Sequence, residues 1–247
     1  VLAVVAVMAV VVMGAALRVP GPEGGDASRS GPPMGPPTRP TAALFIGDSY
    51  TAGAGASSPA QAWSCRAAAL LDWTCNLDAQ GGTGFVADGR SNTPSFSPLP
   101  DRLQSSAQRY LADVVVIDAG RNDRATPAED VVAVAAAYLA EVRARWPEAT
   151  LVVVLPAYLT QGPDPADSWQ QTVDAGFRDL AVDLGGLVID PVGERWVEDA
   201  AAQRLLDPDG IHPDDAGHAL LAERFVADVR QAGLADPPLT DLRTPGS

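Results

Sequence analysis

The stretch that decides the fold is Leu44–Gly53, which reads LFIGDSYTAG. A short apolar run ends in a turn with a serine at its tip, and small residues follow. This pattern is typical of a buried strand that delivers a hydroxyl to the carboxyl edge of a sheet before the chain turns into a helix. Ligands of open α/β sheets bind at that edge. Ser49 is therefore a candidate nucleophile if a base and an oxyanion site come from elsewhere in the chain.

The rest of the sequence alternates between apolar runs and helical patterns. Strands are predicted near 42–46, 73–79, 114–117, 151–155 and 187–190, and helices near 59–71, 103–111, 131–146, 169–184 and 219–231. Such alternation predicts a mostly parallel five-stranded sheet covered on both faces. One three-layer α/β/α domain accounts for residues 41–234.

Composition narrows the classes of partner. The 247-residue chain is 47% hydrophobic, carries a formal net charge of -14 and contains no lysine. An apolar content of this size supports a buried core. The negative charge repels phosphate backbones, so nucleic acid is not expected as a partner.

The two ends of the chain differ from the predicted domain. Residues 1–17 are uninterrupted by any polar side chain, which predicts a signal peptide or a membrane anchor. Residues 18–40 are rich in proline and glycine and indicate a linker, and residues 235–247 a loose tail. The leader predicts an extracytoplasmic domain that is secreted, or attached to the membrane if the leader is retained.

Cys65 and Cys75 are the only cysteines. Without a companion histidine or further cysteine they are poor zinc ligands. A short-loop disulfide suits the predicted compartment, and two free buried thiols are the alternative.

Unusual residues follow the predicted strands. Gly82 follows the second strand and Asn122 the third, while Asp209 and His212 precede the last helix. Acyl-bond hydrolysis needs a nucleophile, a base, a group that orients the base, and donors for the oxyanion. Of the two histidines, His212 lies in a turn with Asp209 three positions earlier, whereas His218 lies within a helix and is predicted to be structural.

Four motifs in this order resemble the SGNH (GDSL-type) hydrolase family. They are Gly47-Asp48-Ser49, Gly82, Gly120-Arg121-Asn122-Asp123 and Asp209-Gly210-Ile211-His212-Pro213. The resemblance implies a flavodoxin-like fold and a triad of Ser49, His212 and Asp209. It also implies an oxyanion hole from the Ser49 and Gly82 backbone N–H groups and the Asn122 side chain. One departure is Tyr50, which replaces the family's leucine and bears on packing or specificity.

The implied activity is ester hydrolysis through an acyl-enzyme, with no metal or cofactor. Two alternatives stay open: an acyltransferase-associated domain that transfers acyl groups to a glycan, and an inactive glycan-binding domain. A flavin-binding protein is less consistent, because few hydroxyl side chains follow the first strand. The oligomeric state is not predicted.

The substrate is predicted only as a class. Acetylated carbohydrate, short-chain esters and lipid esters all fit a small-molecule or glycan ester. Four aromatic residues are candidates for an acyl pocket, with core packing as the alternative: Tyr50, Phe85, Tyr158 and Trp169.

Overall fold

The computed structural model describes residues 39–235 except 163, 165 and 198. The leader predicted at 1–17, the linker up to residue 38 and the tail from residue 236 lie outside the described residues. Those three predictions therefore remain predictions.

The centre of the fold is a sheet of five strands. They are β1 (Thr41–Gly47), β2 (Trp73–Ala79), β3 (Val114–Asp118), β4 (Thr150–Val154) and β5 (Leu187–Ile189). Their order is β2-β1-β3-β4-β5, and every neighbouring pair is parallel. The inner strands β1, β3 and β4 are nearly continuous apolar runs because both of their faces are covered.

Helices cover both faces of the sheet. They are α1 (Ser49–Ala52), α2 (Trp63–Leu70), α3 (Leu99–Arg109), α4 (Ala128–Arg145), α5 (Ser168–Asp183), α6 (Asp199–Ala202) and α7 (Asp215–Gln231). Side chains alternate along β1: Leu44 and Ile46 join the core with α3, α4 and α5, whereas Ala43 and Phe45 join the core with α2 and α7. The predicted three-layer α/β/α fold is confirmed.

Several predicted helix boundaries were wrong because capping chemistry extends the helices. α3 begins at Leu99 with Pro100 in its first turn, where proline needs no N–H partner. It ends before Leu111, which is 82% exposed. α7 begins at Asp215 because the Asp214 carboxylate accepts a hydrogen bond from the Gly217 N–H.

The predicted helix over 59–71 is divided. A 3-10 turn at Pro59–Gln61 precedes α2, and the direction of the chain changes at Ala62. As a result Leu70, predicted to point inward, is 48% exposed, whereas Leu71 is buried.

A disulfide joins α2 to the edge strand β2. It links Cys65 to Cys75, the pairing that the sequence favours, with 5.2 Å between their Cα atoms. Within the described part of the chain, no helix is long and apolar enough to cross a bilayer.

Candidate active site

Ser49 begins α1, immediately after β1, at the carboxyl edge of the sheet. The turn is tight at Gly47, where an added Cβ would lie 2.1 Å from Thr51 Oγ1 and 2.3 Å from the Asp118 carbonyl oxygen. Asp48 caps α1 by accepting a hydrogen bond from the Tyr50 N–H. This turn presents Ser49 at the surface of the edge, partly exposed.

The glycine-rich loop after β2 lies beside Ser49. An added Cβ on Gly81 would lie 3.6 Å from Ser49 Cβ, and Gly82 has a φ of 74°, which favours glycine. Among the described residues, the N–H groups of Ser49 and Gly82 have no hydrogen-bond acceptor. Both donors are therefore available to a substrate oxygen.

Asn122 lies next to these two donors. Its Nδ2 donates to the Thr83 carbonyl oxygen at 2.9 Å and to Asp48 Oδ2 at 3.3 Å. The first bond holds the amide against the glycine-rich loop. The second is long for a hydrogen bond to a carboxylate, so that N–H is the more weakly held of the two.

The candidate base, His212, lies in an exposed turn before α7. His212 Nδ1 lies 2.6 Å from Asp209 Oδ2, and Asp209 Oδ1 accepts the N–H groups of Ile211 and His212. The His212 side-chain contact, followed by these two backbone bonds, lowers the pKa of Asp209 to about 2. An ionised Asp209 favours a proton on Nδ1 and leaves Nε2 free to accept one.

The His212 turn packs against the chain that follows Ser49. The His212 and Tyr50 rings lie 5.9 Å apart, and an added Cβ on Gly55 would lie 3.2 Å from His212 Cβ. The structure thus brings the predicted base to the residue next to Ser49. Within the described chain, no hydrogen bond is formed by Ser49 Oγ, so the transfer of its proton is part of the proposal below.

His218 has the structural role predicted for it. It is fully buried, accepts a hydrogen bond from the Trp63 N–H at Nδ1, and lies 3.0 Å from the Ala54 carbonyl oxygen at Nε2. Burial lowers its pKa and favours the neutral ring.

Asp123 organises the loop of the oxyanion donors, a role that sequence reasoning missed. Its buried carboxylate accepts three successive backbone N–H groups, from Phe85, Val86 and Ala87, at 2.7–3.0 Å. Burial raises its pKa while these bonds oppose the shift. An added Cβ on Gly84 would lie 2.3 Å from the carboxylate. The spacing of Gly84 and Asp123 carries no signal of this contact.

A second group that the sequence did not reveal is a buried charge network beneath Ser49. Arg121 Nη1 donates to both carboxylate oxygens of Asp48, at 2.7 and 2.8 Å, and Nη2 donates to Asp118 Oδ1 at 2.5 Å. Thr51 Oγ1 donates to Asp118 Oδ2. Burial, with the charge of Asp118 added, raises the pKa of Asp48 to about 6 despite the Arg121 guanidinium.

Tyr50 connects three loops at the same edge. Its hydroxyl donates to the Ile211 carbonyl oxygen at 2.7 Å and accepts the Leu159 N–H at 3.1 Å. The Arg121 guanidinium carbon lies 4.5 Å from the centre of its ring. Burial raises the pKa of Tyr50 to about 12, so the hydroxyl keeps its proton at neutral pH.

Two cavities lie at this edge. The smaller cavity, of about 470 Å³, is partly open to solvent and is lined by residues of β4, α7 and the loops after β3, β4 and β5, together with Tyr50, Trp63 and Asp118. The open groove, of about 620 Å³, is lined by Gly210 and Ile211 of the His212 turn and by polar residues of the 158–167 loop. Of the four aromatic residues predicted as candidates for an acyl pocket, Tyr50 and Tyr158 line a cavity. The other two do not, because Phe85 is in the core and Trp169 packs against it.

The described residues contain no cluster of three or more histidine, cysteine or acidic side chains arranged to bind a metal.

Comparisons with known proteins agree with this geometry. The model of the GDSL-like lipase/acylhydrolase family matches residues 45–220. The GDSL lipase Rv0518 of Mycobacterium tuberculosis is 29% identical over an alignment of 190 residues, which covers 73% of this chain and 78% of that lipase.

Two solved structures share the fold. Esterase EstA from Pseudoalteromonas sp. has a TM-score of 0.60 at 17% identity, over 78% of this chain and 99% of that one. A family two carbohydrate esterase from Clostridium thermocellum, in complex with cellohexaose, has a TM-score of 0.59 at 21% identity, over 79% of this chain and 66% of that one. The family match runs from β1 into α7, over more than half of the sequence, and the chain therefore belongs to the GDSL-like lipase/acylhydrolase family of ester-hydrolysing enzymes.

Proposed function

We propose that this protein is a serine esterase in which Ser49 is the nucleophile, His212 the general base and Asp209 the group that orients the base. The observation that carries the proposal is the 2.6 Å contact between His212 Nδ1 and Asp209, in a turn that packs against Tyr50. The contact supports a proton on Nδ1, so that Nε2 is the ring nitrogen that accepts a proton beside the nucleophile.

The mechanism has two steps. His212 takes the proton of Ser49 Oγ as this oxygen attacks the ester carbonyl, and the N–H groups of Ser49, Gly82 and Asn122 stabilise the oxyanion. His212 then returns the proton to the leaving alcohol, and an acyl-enzyme remains on Ser49. In the second step a water molecule loses a proton to His212 and attacks the acyl carbon, and His212 returns that proton to Ser49 Oγ as the acid leaves.

The groove beside His212 supports a polar alcohol in the substrate. A leaving alcohol must receive its proton from His212, so it has to lie on the His212 side of Ser49. The open groove on that side has carboxylates and a guanidinium along its walls, from Asp164, Asp167 and Arg124. Hydroxyl groups of a sugar can hydrogen-bond to such walls. We therefore favour acetylated carbohydrate or another small polar ester over a lipid.

We also propose that the enzyme works outside the cytoplasm. The apolar segment at residues 1–17 supports export, and the disulfide between Cys65 and Cys75 suits an oxidising compartment. Release from the membrane and retention on it are both compatible with this proposal. Cell fractionation before and after a mild alkaline wash separates them.

The experiment is hydrolysis of p-nitrophenyl acetate by the full chain and by Ser49→Ala. We expect Ser49→Ala to lower kcat by about 10⁴-fold or more, because it removes the nucleophile. The control is Ser91→Ala, which changes an exposed serine in the loop after β2 and should leave turnover unchanged.

Equal turnover by the wild type and Ser49→Ala would contradict the assignment of the nucleophile. If the wild type hydrolyses no ester, activity is measured again with an added sugar acceptor. Transfer of the acyl group to that acceptor would support the acyltransferase alternative, and sugar binding without either reaction would support the glycan-binding alternative.

A further inference from the structure

Tyr50 lies at the boundary between the proposed catalytic residues and the smaller cavity, which is open to solvent elsewhere. Its ring is 5.9 Å from the His212 ring and meets the Tyr158 ring edge-on at 6.0 Å. It is only 2% exposed and forms part of the cavity wall. The described lining of the cavity includes none of the five residues to which we assign catalysis or oxyanion binding. The Tyr50 phenol therefore lies between the proposed catalytic residues and the cavity.

The cavity has the chemistry of a hydrocarbon site. Most of its described lining is apolar, with the largest side chains coming from Trp63, Leu159, Trp196 and Leu221. Of its polar side chains, Arg121 and Asp118 already bind each other, and Gln161 accepts a hydrogen bond from the Tyr158 N–H. The remaining charged residue of the lining, Arg195, is exposed. Its volume of about 470 Å³ lies within the range of small-molecule pockets. Sugar hydroxyls would lose hydrogen bonds in such a space, whereas an acyl chain would leave water favourably.

We propose that Tyr50 is a specificity-determining residue that closes this cavity to the acyl group, so that the enzyme accepts acetyl and similarly short acyl groups. The proposal rests on the function proposed above, because it requires Ser49 to attack the acyl carbonyl beside Tyr50. It extends that function by fixing the acyl part of the substrate, which the polar groove leaves open.

Three contacts keep the phenol in place. The hydroxyl is bonded on two sides, to the Ile211 carbonyl oxygen and to the Leu159 N–H. The Arg121 guanidinium lies over the ring, and Asp48 and Asp118 hold that guanidinium in turn. Moving the ring aside would break all of these contacts in a buried place, where lost hydrogen bonds are costly. Tyr50 therefore acts as a fixed wall rather than as a gate that opens with each substrate.

The experiment compares kcat/KM for p-nitrophenyl acetate, butyrate and octanoate in the wild type, Tyr50→Leu and Tyr50→Phe, all as the full chain. For the wild type we expect kcat/KM to fall steeply from acetate to octanoate. Tyr50→Leu removes the ring and should raise the octanoate-to-acetate ratio by about tenfold or more, as is usual when apolar space admits further methylene groups.

Tyr50→Phe is the matched control because it keeps the ring and removes only the hydroxyl. We expect its octanoate-to-acetate ratio to stay near the wild-type ratio, while turnover of both esters falls because the Ile211 and Leu159 contacts are lost. A second control adds Ala157→Phe to Tyr50→Leu. Ala157 lines the cavity, so filling the space there should reverse the gain on octanoate.

Two outcomes would overturn the proposal: a wild type that prefers octanoate, or a Tyr50→Leu variant that melts like the wild type and keeps its chain-length ratio. In both outcomes turnover still depends on Ser49. They can therefore be told apart from failure of the proposed function, in which Ser49→Ala would be as active as the wild type.

A measurement on the wild type alone covers the case in which Tyr50→Leu does not fold. Ethyl and octyl phosphonate p-nitrophenyl esters react when Ser49 Oγ attacks phosphorus, p-nitrophenolate leaves and His212 takes the serine proton. Intact mass should show rapid modification by the ethyl reagent and at least about tenfold slower modification by the octyl reagent. Equal rates would contradict a closed acyl space.

Discussion

Two groups that pair a carboxylate with a basic side chain lie at the same edge of the sheet in very different surroundings. In the buried network the side chains of Arg121, Asp48 and Asp118 are at most 4% exposed. In the His212 turn the Asp209 side chain is 41% exposed and the His212 side chain 22%. Breaking a buried pair leaves an uncompensated charge away from water, whereas breaking an exposed pair leaves charges that water can solvate. The buried network should therefore maintain the fold and the exposed pair should adjust the chemistry.

Removing the buried guanidinium should have the largest effect on stability. Arg121→Met keeps an apolar stem but leaves Asp48 and Asp118 unpaired, so we expect unfolding free energy to fall by about 3–5 kcal/mol. Denaturant unfolding at pH 7.5 measures it. The loss should be smaller at pH 5, where the raised pKa of Asp48 lets its carboxyl take a proton.

The control for this change is Arg178→Met. Arg178 pairs with Asp190 at the surface, at 46% and 23% side-chain exposure, and its loss should cost about 0–1 kcal/mol. If the two variants lose the same stability, burial does not distinguish the two kinds of pair.

Asp209→Asn tests the exposed pair and should affect activity more than stability. The asparagine oxygen can still accept the Ile211 and His212 N–H groups, but its NH₂ group faces His212 Nδ1 and favours the wrong tautomer. We expect kcat to fall by about 10–100-fold, less than for a buried triad aspartate, because the ring is open to water. Steady-state hydrolysis of p-nitrophenyl acetate measures kcat, and a thermal melt measures stability.

Asp207→Asn is the matched control for Asp209→Asn, since it removes the same charge from the same turn without contacting the imidazole. A loss of stability in Asp209→Asn as large as its loss of activity would mean that this pair, too, maintains the fold.

Asp174 is an intermediate case and should give the smallest effect. It is half-buried on α5 and accepts a hydrogen bond from Gln170 Nε2 at 2.7 Å. Burial, the largest cause, raises its pKa to about 6. Between the ordinary carboxyl pKa and this value the folded state binds more protons than the unfolded state, so stability falls as pH rises through that window.

Asp174→Asn should remove this pH dependence. We expect it to raise stability by up to about 1 kcal/mol at pH 7.5, after allowance for solvent at a half-exposed group, and to have no stabilising effect at pH 4. Melting temperatures at the two pH values measure this, and Asp179→Asn at an exposed position of α5 is the control. A gain that is equal at both pH values would show that ionisation is not its cause.

Features that depend on local sequence patterns could be predicted from the sequence. The strands β1, β3 and β4 can be predicted from their apolar runs, because burial on both faces of the sheet requires such runs. The Asp209–His212 turn is local, so its spacing alone predicts the contact. The fold follows from such signals, whereas the approach of His212 to the residue beside Ser49 was expected from the order of the motifs and the family resemblance.

The remainder depends on contacts between distant positions. Arg121 and Asp123 stand in one quoted motif, yet nothing in their spacing separates a buried charge from a solvated one. Arg121 reaches Asp48, 73 positions away, and Asp123 reaches Phe85, 38 positions away. Phe85 was a candidate pocket residue for the same reason: its contacts with Tyr138 and Phe177 in the core are non-local.

The connection of Tyr50 to Ile211, across 161 positions, also has a consequence for the synthesis of the protein. Further hydrogen bonds join the same ends of the domain, among them those from Trp63 to His218 and from Ser57 to Asp215. A chain emerging from the ribosome, amino terminus first, displays Ser49 long before its base exists. Contacts so distant in sequence also form slowly. We therefore expect activity to appear as one of the last events of folding, when the His212 turn docks against Tyr50, and a chain released before residue 212 would lack the proposed base.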